Sequence, residues 1–290
     1  MIVKESIKLD PGLYFVATPI GAARDITLRA MDVLRDADIL VAEDTRTLRK
    51  LMDIHSISLK GRKIISYNDH NGTSKRPFII SEIALGKSVS YSSEAGSPLV
   101  ADPGYQLGRE VSESGYRVVT VPGACAVIAA LTVSGLPTNQ FFYAGFLPNS
   151  KSARQKFLTL VENIPGTLVF YESPKRLNKA LIDMLFILGP ERPVVIAREL
   201  TKKFEETIRS TLGEINEKIE GRSIKGEIVI LLGKKPETIF NLEDLHKILL
   251  VELRKNSLKD SVLKVAMRTG VARSLVYKAA LEIINTSKIS

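Results

Sequence analysis

With 290 residues, 44% hydrophobic and 25% charged, the chain has a globular composition that excludes long disorder and allows two cores with a small appendage. A single cysteine, Cys125, excludes an internal disulfide framework, and three scattered histidines exclude a metal-ligand cluster, so no metal is expected. The formal net charge of +9 favours polyanionic partners, but many enzymes are basic and charge alone does not choose among partners.

The N-terminal Met1-Ile-Val-Lys-Glu-Ser lacks the apolar run and cleavage site of a signal peptide. The longest apolar runs, Leu13–Ala17 and Ile228–Leu232, are of strand length, so a cytoplasmic protein without a membrane partner is expected. In chain order, strand-like runs fall at Leu13–Thr18, Asp38–Glu43, Lys63–Tyr67, Ser88–Ser93 and Arg117–Val121. Between them Leu28, Met31, Val33 and Leu34, then Leu107, Val111 and Tyr116, lie at helical spacing. That alternation predicts βαβ units and a mostly parallel sheet. Further runs at Phe141–Phe146, Thr167–Tyr171, Pro193–Ala197, Glu206–Ser210 and Glu227–Leu232, with short links towards the end, predict a mixed sheet.

The composition shifts near Gly233-Lys-Lys-Pro, and three helical patterns follow at Asn241–Leu253, Ser257–Met267 and Ala272–Ile284. A glycine turn within Arg268–Ser274 gives the last two the spacing of a helix-turn-helix, with Arg273 and Lys278 on the last helix; a plain helical bundle has the same pattern. The expected architecture is thus α/β. Two unequal lobes, 1–122 and 123–235, meet in a cleft, and a helical domain occupies 236–290.

Three turns carry small residues. The first strand ends in Thr18-Pro19-Ile20-Gly21, the fourth in Ser92-Ser93-Glu94-Ala95-Gly96-Ser97-Pro98 with Ala101-Asp102-Pro103-Gly104 beyond it, and the fifth in Pro122-Gly123-Ala124-Cys125. No G-x-G-x-x-G fingerprint or Walker lysine accompanies them, which disfavours a dinucleotide or a phosphate-transfer reaction. Exposed backbone at the carboxyl ends of neighbouring parallel strands suits an adenosyl group or an amino-acid carboxylate.

Polar residues gather at other strand ends: Glu43, Asp44 and Arg46; Asp69, His70 and Asn71; Tyr171, Glu172 and Arg176. The densest cluster is Arg198, Glu199, Lys202, Lys203 and Glu205. Surface ion pairs, a hydrogen-bonded structural histidine and a Glu172 that steadies a helix N-terminus are the plainer readings of these groups. Lys151, Arg154, Lys156, Lys175, Arg176 and Lys179 are candidate phosphate contacts, the first three on a basic loop or a solvated helix face.

Pro19-Ile20-Gly21 with Asp25–Ala30, Ala42-Glu43-Asp44-Thr45-Arg46, Asp69-His70-Asn71 and the Glu94–Gly104 turns resemble the tetrapyrrole methylase family in its ribosomal RNA branch. So do Tyr171–Leu177 and the run Ala197–Glu206. The resemblance implies S-adenosylmethionine folded into the cleft of a homodimer, and 2'-O-methylation of the cytidine 1402 ribose in 16S rRNA of the 30S subunit. It places the cofactor against Pro19, Ile20 and Gly21, the Ser93–Pro98 loop (Ser93, Glu94, Ala95, Gly96, Ser97, Pro98) and Gly123, Ala124 and Cys125. Phe170, Tyr171, Leu200, Glu227 and Ile228 complete that set. The chain departs from the family pattern with Glu94 for aspartate, Ala22-Ala23 after Gly21, and Cys125 for serine.

A ribose hydroxyl is a poor nucleophile, so this reaction calls for a base or a cation facing the developing alkoxide. Glu199 or Glu172 is the expected base, Arg198 or Lys202 the expected cation, and His70 a further base candidate. Two rival functions stand beside this one: methylation of a tetrapyrrole precursor, and a nucleic-acid-binding regulator whose α/β body senses a ligand.

Overall fold

The computed structural model describes residues 8–68, 70–100, 104–222, 224–235, 242–269, 271 and 273–287. Asp69, the Ala101-Asp102-Pro103 turn, Asn241, Gly270 and Ala272, all singled out above, lie outside the described residues. The chain divides into two compact units, Met1–Lys234 and Lys235–Ser290.

The first unit holds two five-stranded sheets. One contains β1 (Gly12–Val16), β2 (Ile39–Ala42), β3 (Ile64–Ser66), β4 (Ser88–Ser92) and β5 (Val118–Val121), all parallel, in the order β3-β2-β4-β1-β5. Alternation along β1 explains its two-sided burial. Tyr14 and Val16 pack with α1 (Leu28–Asp36) and α2 (Thr45–Ile54) on one face. Leu13 and Phe15 pack on the other with α3 (Gly72–Ala84) and α4 (Tyr105–Glu113). Local chemistry starts these helices where they are needed. Thr27 caps α1 by accepting from the Ala30 amide, and Asp44 caps α2 by accepting from Arg46 and Thr47.

Helix α5 (Ala126–Ser134) leads to the second sheet, formed by β6 (Phe141–Phe146), β7 (Thr167–Glu172), β8 (Pro193–Arg198), β9 (Glu206–Thr211) and β10 (Ile228–Leu232). Its order is β6-β7-β10-β8-β9, and only the β6–β7 pair is parallel. One face, with Leu168, Phe170, Ile196 and Ile230, is covered by α6 (Lys151–Val161), α7 (Pro174–Leu188) and α8 (Ile215–Ile219). The opposite face, with Val169, Val195, Ala197 and Val229, packs on α5 and on Ile20 and Leu200. Each such buried aliphatic side chain stabilises the fold by about 1.5–3 kcal/mol.

The Lys151–Lys156 segment is the start of a helix and no loop, because Ser150 accepts from the Ala153 amide and caps α6. Arg154 is correspondingly unavailable to phosphate: it is buried, its Nε 2.7 Å from Asp183 Oδ2, and its Nη1 donates to the Pro148 and Asn149 carbonyls.

The second unit contains α9 (Leu242–Leu253), α10 (Leu258–Thr269) and α11 (Arg273–Ser287) around a core of Leu245, Leu249, Val262, Val265, Val276 and Ala280. Among the described residues no helix is long and apolar enough to cross a membrane.

Candidate active site

The turns at the carboxyl end of the parallel sheet are tied to one another by backbone. The Thr18 amide donates to the Gly96 carbonyl at 2.9 Å and the Gly96 amide returns to Thr18 at 3.1 Å. Ser93 Oγ closes its own loop onto the Gly96 carbonyl at 2.7 Å, and Ser97 Oγ reaches the Ala124 carbonyl at 3.1 Å. Glu43, at the end of β2, accepts from the Glu94 amide at 3.1 Å. The Pro19–Gly21 turn in turn lies against the second sheet's loop at Leu200–Lys202. A Cβ on Gly21 would fall 2.5 Å from Lys202 Cγ and 2.6 Å from Thr201 Oγ1, so only glycine allows this approach. The Ala22 amide donates to Thr201 Oγ1 there.

The second sheet contributes a charged brace and a row of rings. Lys202 Nζ lies 3.1 Å from Glu199 Oε1 and 2.9 Å from Glu227 Oε2, and Glu199 Oε1 also accepts from the Glu227 amide at 3.0 Å. The Glu227 amide, with help from Lys202 and against the opposing effect of partial burial, holds the Glu199 carboxyl below the usual carboxylate range. Burial acts to lower the Lys202 ammonium, but the Glu227 and Glu199 carboxylates outweigh it and hold it above the ordinary lysine value. Tyr143 meets Tyr171 edge-on at 5.1 Å between centroids, and Tyr171 meets Phe146 at 5.7 Å. Burial pushes the Tyr143 phenol up to about 12 and also raises Tyr171, so both rings are neutral.

These parts enclose a cavity of about 850 Å³. Pro19, Ile20 and Gly21, then Glu94, Ala95, Gly96 and Ser97, line it from the first sheet's turns. Cys125, Tyr171, Leu200, Glu227 and Ile228 line it from beyond. All twelve belong to the expected cofactor set. Ser93, Pro98, Gly123 and Ala124 are not among the lining residues; Ser93 and Ala124 shape the loops through the bonds just described. Phe170 requires correction. Alternation along β7 sends its fully buried ring into the core under α6 and α7, opposite the face that carries Tyr171.

Of the expected catalytic residues, Lys202 and Glu172 line the cavity. The Glu172 side chain is wholly covered, with Oε1 accepting from the Ser173 amide and paired with Arg176, while Oε2 has no hydrogen-bond partner among the described residues. That arrangement steadies the start of α7, the plainer reading of Glu172. Glu199 is not among the lining residues, and its Oε1 is engaged by both Lys202 and the Glu227 amide. Arg198 is displaced from the expected role: it follows Val194 and Ile196 on the face away from the cleft and pairs with Glu206 on β9 at 3.1 Å. His70 sits exposed in the turn after the edge strand β3 and is not among the lining residues.

Sequence reading missed Thr47 and Lys50 on α2, Phe146 on β6, and Gly226, all of which line the cavity. Helical spacing from the Asp44 cap would have brought Thr47 and Lys50 to one side of α2. The glycine inside the Phe141–Phe146 run was the available signal for Phe146. Among the described residues the wall carries four carboxylates, Glu43, Glu94, Glu172 and Glu227, against two ammonium groups, Lys50 and Lys202, so it is acidic within a basic chain.

Residues 12–216 match the family model described as Tetrapyrrole (Corrin/Porphyrin) Methylases. A protein of Mesorhizobium japonicum named "Ribosomal RNA small subunit methyltransferase I" is 41% identical over 280 residues, covering 96% of this chain and 94% of the relative. Proteins of the same name from Vibrio cholerae and Escherichia coli O157:H7 are 40% and 39% identical, each over at least 93% of both chains. Among solved structures, a cobalt precorrin-4 methyltransferase aligns at TM-score 0.58 and 19% identity over 76% of this chain and 94% of its own. A uroporphyrin-III C-methyltransferase of Thermus thermophilus, complexed with S-adenosyl homocysteine, aligns at 0.52 and 19% over 77% of this chain and 97% of its own. At these identities the structures speak for the fold.

Proposed function

The chain belongs to the tetrapyrrole (corrin/porphyrin) methylase family, and from that membership we propose that it methylates 16S ribosomal RNA of the small subunit with S-adenosylmethionine as donor. The atom modified is the ribose 2'-oxygen of cytidine 1402, and the enzyme works as a cytoplasmic homodimer on the 30S subunit. The observation that carries this reading is the near-full-length identity of about 40% to ribosomal RNA small subunit methyltransferases, which extends over both compact units.

The cavity suits the donor chemically. Ile20, Cys125, Ala197, Leu200 and Val229 offer apolar surface to an adenosyl group, and the carboxylate-rich wall suits a ligand bearing a sulfonium and an ammonium. When bound, S-adenosylmethionine supplies a methyl group on a good leaving group, open to in-line displacement. The protein's share is then mainly alignment, which accounts for several kcal/mol of a barrier when reacting atoms are held in contact. The linked turns of the first sheet hold one side of the site rigid, and the Leu200–Lys202 loop closes on them at Gly21.

Lys202 is the residue best placed to stabilise negative charge growing on the acceptor oxygen, because it stays protonated on the cavity wall. Glu199 and Glu227 position it, so Glu199 acts through Lys202 rather than as the base. Tritium transfer from labelled S-adenosylmethionine tests the reading, with 30S subunits from cells lacking the modification, free 16S RNA and a tetrapyrrole precursor offered separately. Label is expected in ribosomal RNA. Label confined to the tetrapyrrole would move the chain to the small-molecule branch of the family.

A further inference from the structure

The β6 strand breaks its own alternation next to the cleft. Tyr143 pairs with Val169, but the following partner of Phe170 is Gly145, and Phe146 pairs with Tyr171. Ala144 is therefore an extra residue, and Gly145 takes the left-handed conformation with φ +67°. Without the bulge Gly145 would lie opposite Tyr171, and Phe146 would follow Ala144 onto the face under α6 and α7. With it, Phe146 joins Tyr143 and Tyr171 on the cleft face. Bulges beside active sites commonly re-aim one side chain in this way.

The ring so delivered is not buried. Phe146 lines the cavity yet is 55% exposed, and among the described residues its recorded ring contact is the edge of Tyr171. A ring exposed on a cavity wall leaves one face free for a planar group to stack on.

The second unusual group lines the same cavity from α2. Of the two ammonium groups lining the cavity, Lys202 is committed to two carboxylates. Lys50, exposed on α2, has no ion pair among the described residues. A ring face and an unpaired ammonium on one cavity match a nucleotide, which carries both a flat base and a phosphate. The cavity, at about 850 Å³, lies towards the upper end of ligand pockets and leaves room beside a cofactor for part of an acceptor.

We propose that Phe146 is the stacking platform for the base of the nucleotide to be methylated, and that Lys50, on the α2 wall of the same cavity, contacts a phosphate flanking that nucleotide. The proposal rests on the RNA reading above and specifies its acceptor subsite. Taking a nucleotide out of its stack is how proteins reach a buried reacting atom, and an aromatic face compensates for the lost stacking.

Steady-state methyl transfer to 30S subunits, with S-adenosylhomocysteine affinity measured by calorimetry on the same preparations, tests it. Phe146→Ala is expected to raise KM for subunits about fivefold to hundredfold, the range that loss of one base–aromatic stack gives. S-adenosylhomocysteine affinity and Tm should stay at wild-type values, and Phe146→Tyr should restore KM. Lys50→Gln is expected to raise KM severalfold and to flatten the salt dependence of subunit binding by about one charge. Unchanged KM in Phe146→Ala overturns the proposal. So does a matching loss of S-adenosylhomocysteine affinity, which would put the ring against the cofactor. A change in sedimentation with KM intact would assign the ring to self-association instead. Wild-type enzyme silent towards subunits would defeat the RNA reading itself, before any variant is compared.

Discussion

The parallel sheet, residues 12–121, reaches the cavity mostly with backbone and short side chains: Pro19 to Gly21, Ala95 to Ser97, and the carbonyls that fasten them. The mixed sheet, residues 141–232, reaches it with long side chains: Tyr171, Phe146, Lys202 and Glu227. Two strongly exposed ion pairs, Arg109–Glu113 and Arg117–Asp10, lie on the first, whereas Arg154–Asp183, buried on both sides, lies on the second. One lobe thus acts as a rigid cradle, and the other depends on a few side chains held in uncommon positions.

The sharpest separation should appear in stability. Asp183→Ala strands the buried Arg154 guanidinium, which links α6, α7 and the 148–149 turn, and is expected to cost about 3–5 kcal/mol in urea unfolding. In the cradle the largest effect should be on ligand affinity. Gly21→Ala drives a Cβ into Thr201 and Lys202, and calorimetry should show at least about a tenfold loss of S-adenosylhomocysteine affinity, about 1.4 kcal/mol. Gly145→Ala tests the bulge alone, because among the described residues no heavy atom lies within 4 Å of the added methyl. The left-handed φ then gives an expected destabilisation of about 1 kcal/mol.

Tyr143→Phe probes the same sheet by pH. Among the described residues the buried Tyr143 hydroxyl has no hydrogen-bond partner, so its removal should be nearly neutral at pH 7. With the folded phenol pushed up to about 12 by burial, the wild type holds the full contribution below its unfolded value near 10 and loses it as pH rises from about 10 to 12. Urea unfolding across that window should fall less steeply in Tyr143→Phe than in the wild type. The smallest effect is expected from Arg109→Ala on the first lobe, within about 0.5 kcal/mol, because its pair is solvent-exposed. A loss there as large as in Asp183→Ala would erase the contrast between the lobes.

The contrast also separates what was legible in the sequence from what was not. All ten strands and the mixed character of the second sheet follow from short apolar runs and link lengths. The three small-residue turns could be read because backbone exposure is a matter of composition at strand ends. Side-chain roles in the second lobe could not. The family resemblance places Phe170 at the cofactor and the charge cluster at the end of β8 offers Arg198 as a cation, but a period of two turns each to the opposite face. Phe146 reaches the cleft only because Ala144 is extra, a register event that no propensity scale registers. Lys202 was expected as a cation, but its fixation by Glu199 depends on a turn with Glu199 at φ +51° and Thr201 at +63°. Arg154 looked like a surface base until Asp183, 29 residues away, closed over it.

Mapping of the methyl group by mass spectrometry of nucleosides and oligonucleotides tests the central claim most directly, after incubation of the enzyme and S-adenosylmethionine with unmodified 30S subunits. The account predicts one methyl group on the ribose of cytidine 1402, with the base unchanged. A methyl group on a base, on another nucleotide, or absent from the RNA altogether would contradict it.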